Sequence, residues 1–381
     1  MTDFAPRPGE IFEIVTNNRP LRFRVVEHPN APGVTHSMKA GKATVYHLAD
    51  IDSEDEYALK VMKPKYRVPA LEDVCFRLEA LKTLPGLMVC ERRCFSPASA
   101  PLTVQQYANL TYAILMPWMK GKSWFDCLQT GKRVGVTFNA QRSLLLASSF
   151  ARILARLERL GIAHCDLSPA NMIVDERTLQ AELIDVEDIY GPGFQQPDFI
   201  SKGTDGYQHR MSASGQWAAD VDRFAGAIIL SEILGWCDPD VIAASSEESY
   251  FDANDLQRND SSRFDTLSRA VARQGIALTE LLRRAWNSAT FAECPTLEEW
   301  SQALEDIKDE GVWTKFAGPQ SEFDPQSVWK EVEPPEDTSF VTWARQPTSA
   351  NSQQNSGIRW NDSANSSPAE PPDSDFIRWI K

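Results

Sequence analysis

Between residues 10 and 63, β-branched and aromatic side chains gather into four short runs, 10–16, 21–27, 44–49 and 57–63, and this predicts four strands. The period then changes. Over 71–84 apolar residues fall at 71, 74, 78, 81 and 84, the spacing of one face of an amphipathic helix. The stretch YAILMPWM at 112–119 reads as a strand running into a linker. Apolar positions 144, 145, 150, 153, 154, 157 and 160 predict a core helix over 141–160, with Gly161 as its stop. Two short strand-like runs follow, 171–174 and 181–186, split by a turn at 175–178, and these predict a rigid hairpin. From Lys308 onward Ser, Gln, Asn, Asp and Pro replace the aliphatics, a composition that predicts disorder.

With 381 residues, the chain has room for two cores, or for one bilobal unit and a tail. A content of 42% hydrophobic and 24% charged residues is that of a globular protein, and no run approaches the roughly 18 apolar residues of a membrane span. The opening MTDFAPRPGE lacks the basic and then apolar regions of a secretory signal. Seven cysteines, with no second Cys or His pair at metal spacing beside Cys90 and Cys94, fit a reducing compartment, so a cytoplasmic location is expected. The net charge of −14 argues against a phosphate-backbone partner. Neither nucleic acid nor membrane is therefore an expected partner.

Candidate chemistry concentrates where the long helix meets the hairpin. His164, Asp166, Ser168 and Asn171 stand on the entering loop and Asp185 at the exit. Oxygen-bearing side chains on one rim suit Mg²⁺, which takes one or two carboxylates together with substrate phosphates.

The segment HCDLSPAN, followed by DVE, resembles the HRDLKPxxN and DFG pair of the protein kinase superfamily. By that resemblance Asp166 accepts the proton of a substrate hydroxyl, and Asn171 and Asp185 hold the metal ions. YALKVMK resembles the family's VAIK strand and assigns Lys60 to the α- and β-phosphates; Val45 lies at the family's interval before it. The glycine loop departs most. Its three glycine positions fall on Met38, Ala40 and Ala43, with Gly41 nearby, so a weaker or reshaped cradle is expected, in which Lys39 and Lys42 supply charge. Glu79 stands where the family pairs a glutamate with the lysine, with Glu72 as the fallback. Met116 takes the gatekeeper position. Pro117 follows it, and Met119 supplies the adenine-facing N–H. Further on, GTDGY at 203–207 looks like the end of an activation loop, although His209, Arg210 and Met211 replace the APE that should follow. DRFAGAIILSEIL from Asp222 resembles the buried helix whose aspartate ties down the catalytic loop, and CPTLEEW at 294–300 resembles the RPTxxEW ending with Cys294 in place of arginine.

The resemblance implies an α+β, bilobal protein kinase-like fold: a β-rich N-lobe over 1–119, a mainly helical C-lobe over 120–307, and a disordered tail over 308–381. It implies an ATP- and Mg²⁺-dependent protein serine/threonine kinase acting on a protein substrate. Two alternatives remain open. Cys165, Ser168 and the acidic string Asp185, Glu187, Asp188 resemble small-molecule phosphotransferases of the aminoglycoside and choline kinase type. The altered glycine loop and the tail suit a pseudokinase scaffold. Three tail segments, Val341-x-Trp343, Ile358-x-Trp360 and Ile377-x-Trp379, place an aliphatic residue and a tryptophan on one face of an extended chain. This predicts a protein partner, or docking back onto the lobes.

Overall fold

Alternating burial on β1 (Ile11–Thr16), with Phe12, Ile14 and Thr16 inward, seeds an antiparallel sheet with β2 (Arg19–Val25). The computed structural model describes residues 3–17, 19–210, 215–246, 249–257 and 261–309, and Met211 and the three tryptophan segments of the tail lie outside them. The sheet goes on through β3 (Ser37–Lys39), β4 (Ala43–Asp50) and β5 (Glu56–Met62) to α1 (Ala70–Leu78). Next come β6 (Arg93–Cys94), α2 (Pro101–Gln106) and β7 (Ile114–Pro117). Among the described residues it has seven strands in the order β1-β2-β4-β5-β7-β6, with β3 on β4, all pairs antiparallel.

β5 is buried on both faces, which is why its alternation decides where Lys60 goes. Leu59 and Val61 enter a core with Phe12, Ile14, Phe23, Phe95 and Leu110. Ala58 and Met62 face the other way, into the core that α1 shares with the helices downstream. Lys60 has the parity of this second face and is only 3% exposed.

The chain then makes β8 (Lys122–Ser123), α3 (Trp124–Val134), α4 (Ala140–Arg159), β9 (Met172–Asp175) and β10 (Gln180–Leu183). Ser123 caps α3 by accepting from the Asp126 N–H at 3.1 Å, and Asn139 caps α4 through the Arg142 N–H at 2.8 Å. β10, β9 and β8 form a small sheet. The last elements are α5 (Asp222–Gly235), α6 (Pro239–Ala244), α7 (Ser262–Gln274), α8 (Ile276–Asn287) and α9 (Leu297–Asp309). α5 is apolar on every side and buried along almost its whole length, so α4, α7 and α8 assemble around it. The architecture is α+β, as expected. No described helix is long and apolar enough to cross a membrane.

One predicted element is shorter than its periodicity. The helix expected over 71–84 stops at Leu78 and continues as a single 3₁₀ turn, Glu79–Leu81. Pro85 lacks an N–H and forbids α geometry at Leu84, so the apolar period outruns the helix. Similarly, the second hairpin strand ends at Leu183, and Val186 begins a 3₁₀ turn instead.

Candidate functional site

Lys60 projects from β5 and donates to Asp185 Oδ1 at 2.5 Å and Glu187 Oε2 at 2.8 Å. Glu187 is buried as well. Its other oxygen accepts from Arg92 Nη1 at 2.8 Å, and Arg92 is anchored by Nε on the Val89 carbonyl at 3.0 Å and by Nη2 against Met116 Sδ at 3.6 Å. The result is a chain of alternating charge, Asp185–Lys60–Glu187–Arg92, with both cations buried and Asp185 at the exposed end. Burial alone would lower the Lys60 pKa, but Asp185 and Glu187 outweigh it and the net shift is upward. For Glu187 burial pushes upward, yet Lys60 and Arg92 hold the carboxyl well below the usual range.

Glu79 is not part of this chain. It lies on the exposed 3₁₀ turn after α1 and pairs with Lys82 at 3.0 Å, while Glu72 accepts from Ser96 Oγ at 2.5 Å. The expected Lys60–Glu79 pair is thus replaced by Lys60–Glu187. Because α1 ends at Leu78, no helical face carries Glu79 inward.

The adjoining loop is built from backbone constraints. α4 breaks at Gly161, with φ of 69°, and Ala163 and Tyr190 exchange backbone hydrogen bonds at 3.0 and 2.8 Å. His164 is fully buried: Nε2 meets the Ile184 carbonyl at 2.8 Å and Nδ1 accepts from the Asp166 N–H at 3.3 Å, so one ring ties the loop to the segment before Asp185. Asp222 at the start of α5 accepts from the His164 and Cys165 N–H groups. That clamp holds Cys165 at φ 65°, a left-handed conformation that a non-glycine residue adopts only under constraint. Asp185 is left-handed too, at φ 62° and ψ 41°, and starts the 3₁₀ turn Val186–Asp188.

On this frame Asn171 Nδ2 donates to the Asp166 carbonyl at 2.8 Å, which leaves its Oδ1 without a partner among the described residues. The Asp185 side chain is 38% exposed and commits Oδ1 to Lys60, so Oδ2 is likewise open. One carboxylate oxygen and one amide oxygen form a sparse set of hard ligands. It fits Mg²⁺, which keeps several waters and completes its shell with phosphate oxygens, and it fits poorly with a cation that needs a full protein cage. Among the described residues no three His, Cys, Asp or Glu side chains converge at metal distance. Asp166 Oδ1 accepts from Ser201 Oγ at 2.7 Å, a hydroxyl resting on the carboxylate expected to deprotonate one.

The remaining predicted positions surround Lys60. Val45 stands opposite it in the β4–β5 register, and Met116 opposite Ala58 in the β5–β7 register. Ala40, Gly41 and Lys42 form the tip between β3 and β4; the Ala40 N–H is spent on the Ala43 carbonyl at 2.8 Å and cannot join a cradle. The Met119 N–H has no partner among the described residues, whereas Trp118 donates its N–H to the Glu56 carbonyl at 2.9 Å and stacks on His47 at 3.9 Å between ring centroids. Sequence reasoning missed Arg92, Ser201 and the Trp118–His47 stack. The one local sign of Arg92 was a charged triplet, Glu91, Arg92 and Arg93, interrupting the apolar run from Leu87 to Phe95.

Behind the loop, Glu232 of α5 accepts from Tyr207 Oη at 2.7 Å, Trp124 Nε1 at 3.0 Å and the Tyr250 N–H at 3.0 Å. Burial pushes its carboxyl up to about 7, and the three donors offset this only in part. The folded-state pKa lies above the ordinary 4.5, so the native chain holds this proton more tightly than the unfolded one. Stability from this group is full below 4.5 and is lost as pH rises through about 7, a swing of about 3 kcal/mol. Urea denaturation at about pH 5 and about pH 8 should therefore show a steeper fall for the wild type than for Glu232→Gln. Parallel pH profiles would show that Glu232 is not the titrating group.

No protein-family model matches the chain, and no curated protein matches it in sequence.

Proposed function

We propose that the chain is an ATP- and Mg²⁺-dependent protein serine/threonine kinase with a bilobal kinase-like fold, the β-sheet layer forming one lobe and the helices around α5 the other. The observation that carries this reading is the buried Lys60 of the sheet held at 2.5 Å from Asp185, on the chain just beyond the Asp166–Asn171 loop. A lysine only 3% exposed and committed to a partly exposed carboxylate is costly to maintain for structure alone, and phosphate chemistry needs both charges at one rim.

In this reading Lys60 orients the nucleotide phosphates. Asn171 Oδ1 and Asp185 Oδ2 would hold Mg²⁺, which supplies neutralisation of phosphate charge when bound. Asp166 takes the proton of the acceptor hydroxyl, in the geometry that the Ser201 hydroxyl displays at 2.7 Å. Val45, Ala58 and Met116 line the adenine side, and the Met119 N–H is free to donate to the base. Glu187, spent between Lys60 and Arg92, is not available as an extra metal ligand, which weighs against the acidic-string reading toward small-molecule phosphotransferases.

The test is phosphate transfer from Mg²⁺-ATP to a serine- and threonine-containing peptide mixture, run beside aminoglycoside and choline acceptors. Transfer to peptide alone supports the proposal. Transfer to the small acceptors alone reassigns the substrate, and nucleotide binding without any transfer identifies a scaffold.

A further inference from the structure

We propose that Lys42, at the tip between β3 and β4, is the side chain that contacts the γ-phosphate, and that Asp188 holds it in place until nucleotide arrives. The inference rests on the phosphotransferase reading above and names a residue that reading does not use. Four observations carry it.

The first is position. The Lys42 backbone is fixed to the end of β5, its carbonyl accepting from the Lys63 N–H at 2.9 Å, while its side chain leaves the sheet and pairs with Asp188. Asp188 is three residues beyond Asp185, on the 3₁₀ turn that Asp185 opens, so the Lys42 ammonium is tied to the same turn as Asp185.

The second is the commitment of two nearby cations. Lys60 is paired with Asp185 and Glu187 and Arg92 with Glu187, and Ser168, itself only 4% exposed, stands where the motif it resembles carries lysine. The third is mobility of the right kind. The Lys42 side chain is 37% exposed and the Asp188 side chain 12%, so the lysine can swing through solvent while its partner stays, its carbonyl fixed by Trp217 Nε1 at 3.0 Å. The fourth is the tip itself: Gly41 has open space around it and the Ala40 N–H is spent on the Ala43 carbonyl, so the Lys42 side chain supplies a contact that the Ala40 backbone does not.

The exchange is purely electrostatic. A terminal phosphate carries more charge than one carboxylate, so it draws Lys42 from Asp188. Asp188, whose carboxyl burial pushes upward, stays behind beside the negative charges of Glu187 and Asp166 once the lysine has left. In the transfer step the bond from the γ-phosphorus to the β,γ-bridging oxygen breaks and a bond to the acceptor oxygen forms. The hydroxyl proton goes to Asp166. Lys42 exchanges neither proton nor electrons and only stabilises charge on the phosphate oxygens.

The experiment uses the full chain, with ADP and ATP binding measured separately from steady-state transfer. Lys42→Ala is expected to lower kcat by about 10²-fold and to weaken ATP while leaving ADP affinity within about threefold, because only ATP has the γ-phosphate. Lys42→Arg should recover part of the rate. Lys65→Ala, on the exposed turn after β5, should leave ATP affinity and kcat within about twofold, which separates a specific contact from general positive charge. Asp188→Asn should tighten ATP but not ADP. A Lys42→Ala enzyme that retains kcat within about twofold overturns the inference and leaves the kinase reading intact. Equal loss of ADP and ATP affinity also overturns it, since that marks a structural role. A wild-type chain that transfers no phosphate from ATP overturns the kinase reading, and the inference with it.

Discussion

Glu187→Ala is expected to cost about 3–5 kcal/mol of folding stability, more than any other single surface-remote carboxylate in the sheet layer. The variant strips Arg92 of its carboxylate partner and leaves its guanidinium buried beside neutral groups, among them the Val89 carbonyl and Met116 Sδ. Lys60 suffers less, because Asp185 remains. If the loss comes from an orphaned cation rather than from missing volume, the double variant Glu187→Leu with Arg92→Leu should regain most of it. Urea denaturation of the two variants separates these causes. A Glu187→Ala loss below about 1 kcal/mol would mean that water reaches Arg92 and that the charge chain is not sealed.

The same bridge sets an acid limit. Glu187 has its folded-state pKa depressed below the ordinary 4.5, so its contribution is present above that value and is lost as pH falls further, toward the folded-state pKa. The sign is opposite to that of Glu232, which favours the folded state on the acid side. Between them the chain is expected to be most stable in mildly acid solution.

Asp166→Asn is expected to lower kcat by about 10²- to 10⁴-fold, the range for loss of a positioned general base. Melting temperature and nucleotide affinity should stay near wild type. The reason lies in what holds the loop. Its backbone is fixed by Asp222 and by the His164 ring, whereas the Asp166 carboxylate meets only the Ser201 hydroxyl among the described residues. An asparagine can still accept from Ser201 but cannot take a proton. Single-turnover transfer from Mg²⁺-ATP, compared with ADP binding by both proteins, is the decisive pair of measurements; full-rate transfer by the variant would falsify the base assignment. Lys60→Ala is a less clean companion. Removing Lys60 disturbs Asp185 and Glu187 together, so lost activity there comes with lost stability.

Local pattern was enough to read much of the framework. Four strands were legible from β-branched and aromatic runs because each residue's inward or outward parity is a property of the strand itself, and the observed β1, β2, β4 and β5 lie within two residues of the expected limits. The long helix was legible to one residue at each end, since a sustained apolar face and Gly161 act over a single turn. The candidate chemistry of Asp166, Asn171 and Asp185 was legible because all three flank one hairpin and need no distant partner to be brought to one rim.

What the sequence alone determined, then, is the set of local decisions: which stretches are strand or helix, and that the polar side chains beside the hairpin stand together. Tertiary structure alone decided which charges meet. Lys60 finds Glu187 at 2.8 Å across 127 residues and Glu187 finds Arg92 at 2.8 Å across 95, while Glu79, only 19 residues from Lys60, is turned to solvent. Chain separation carries no information about such pairs. A buried charge takes the counter-charge that packing brings within hydrogen-bond reach before water does, and that distance is set by where α1 ends and how β6 and the turn after Asp185 press against the sheet.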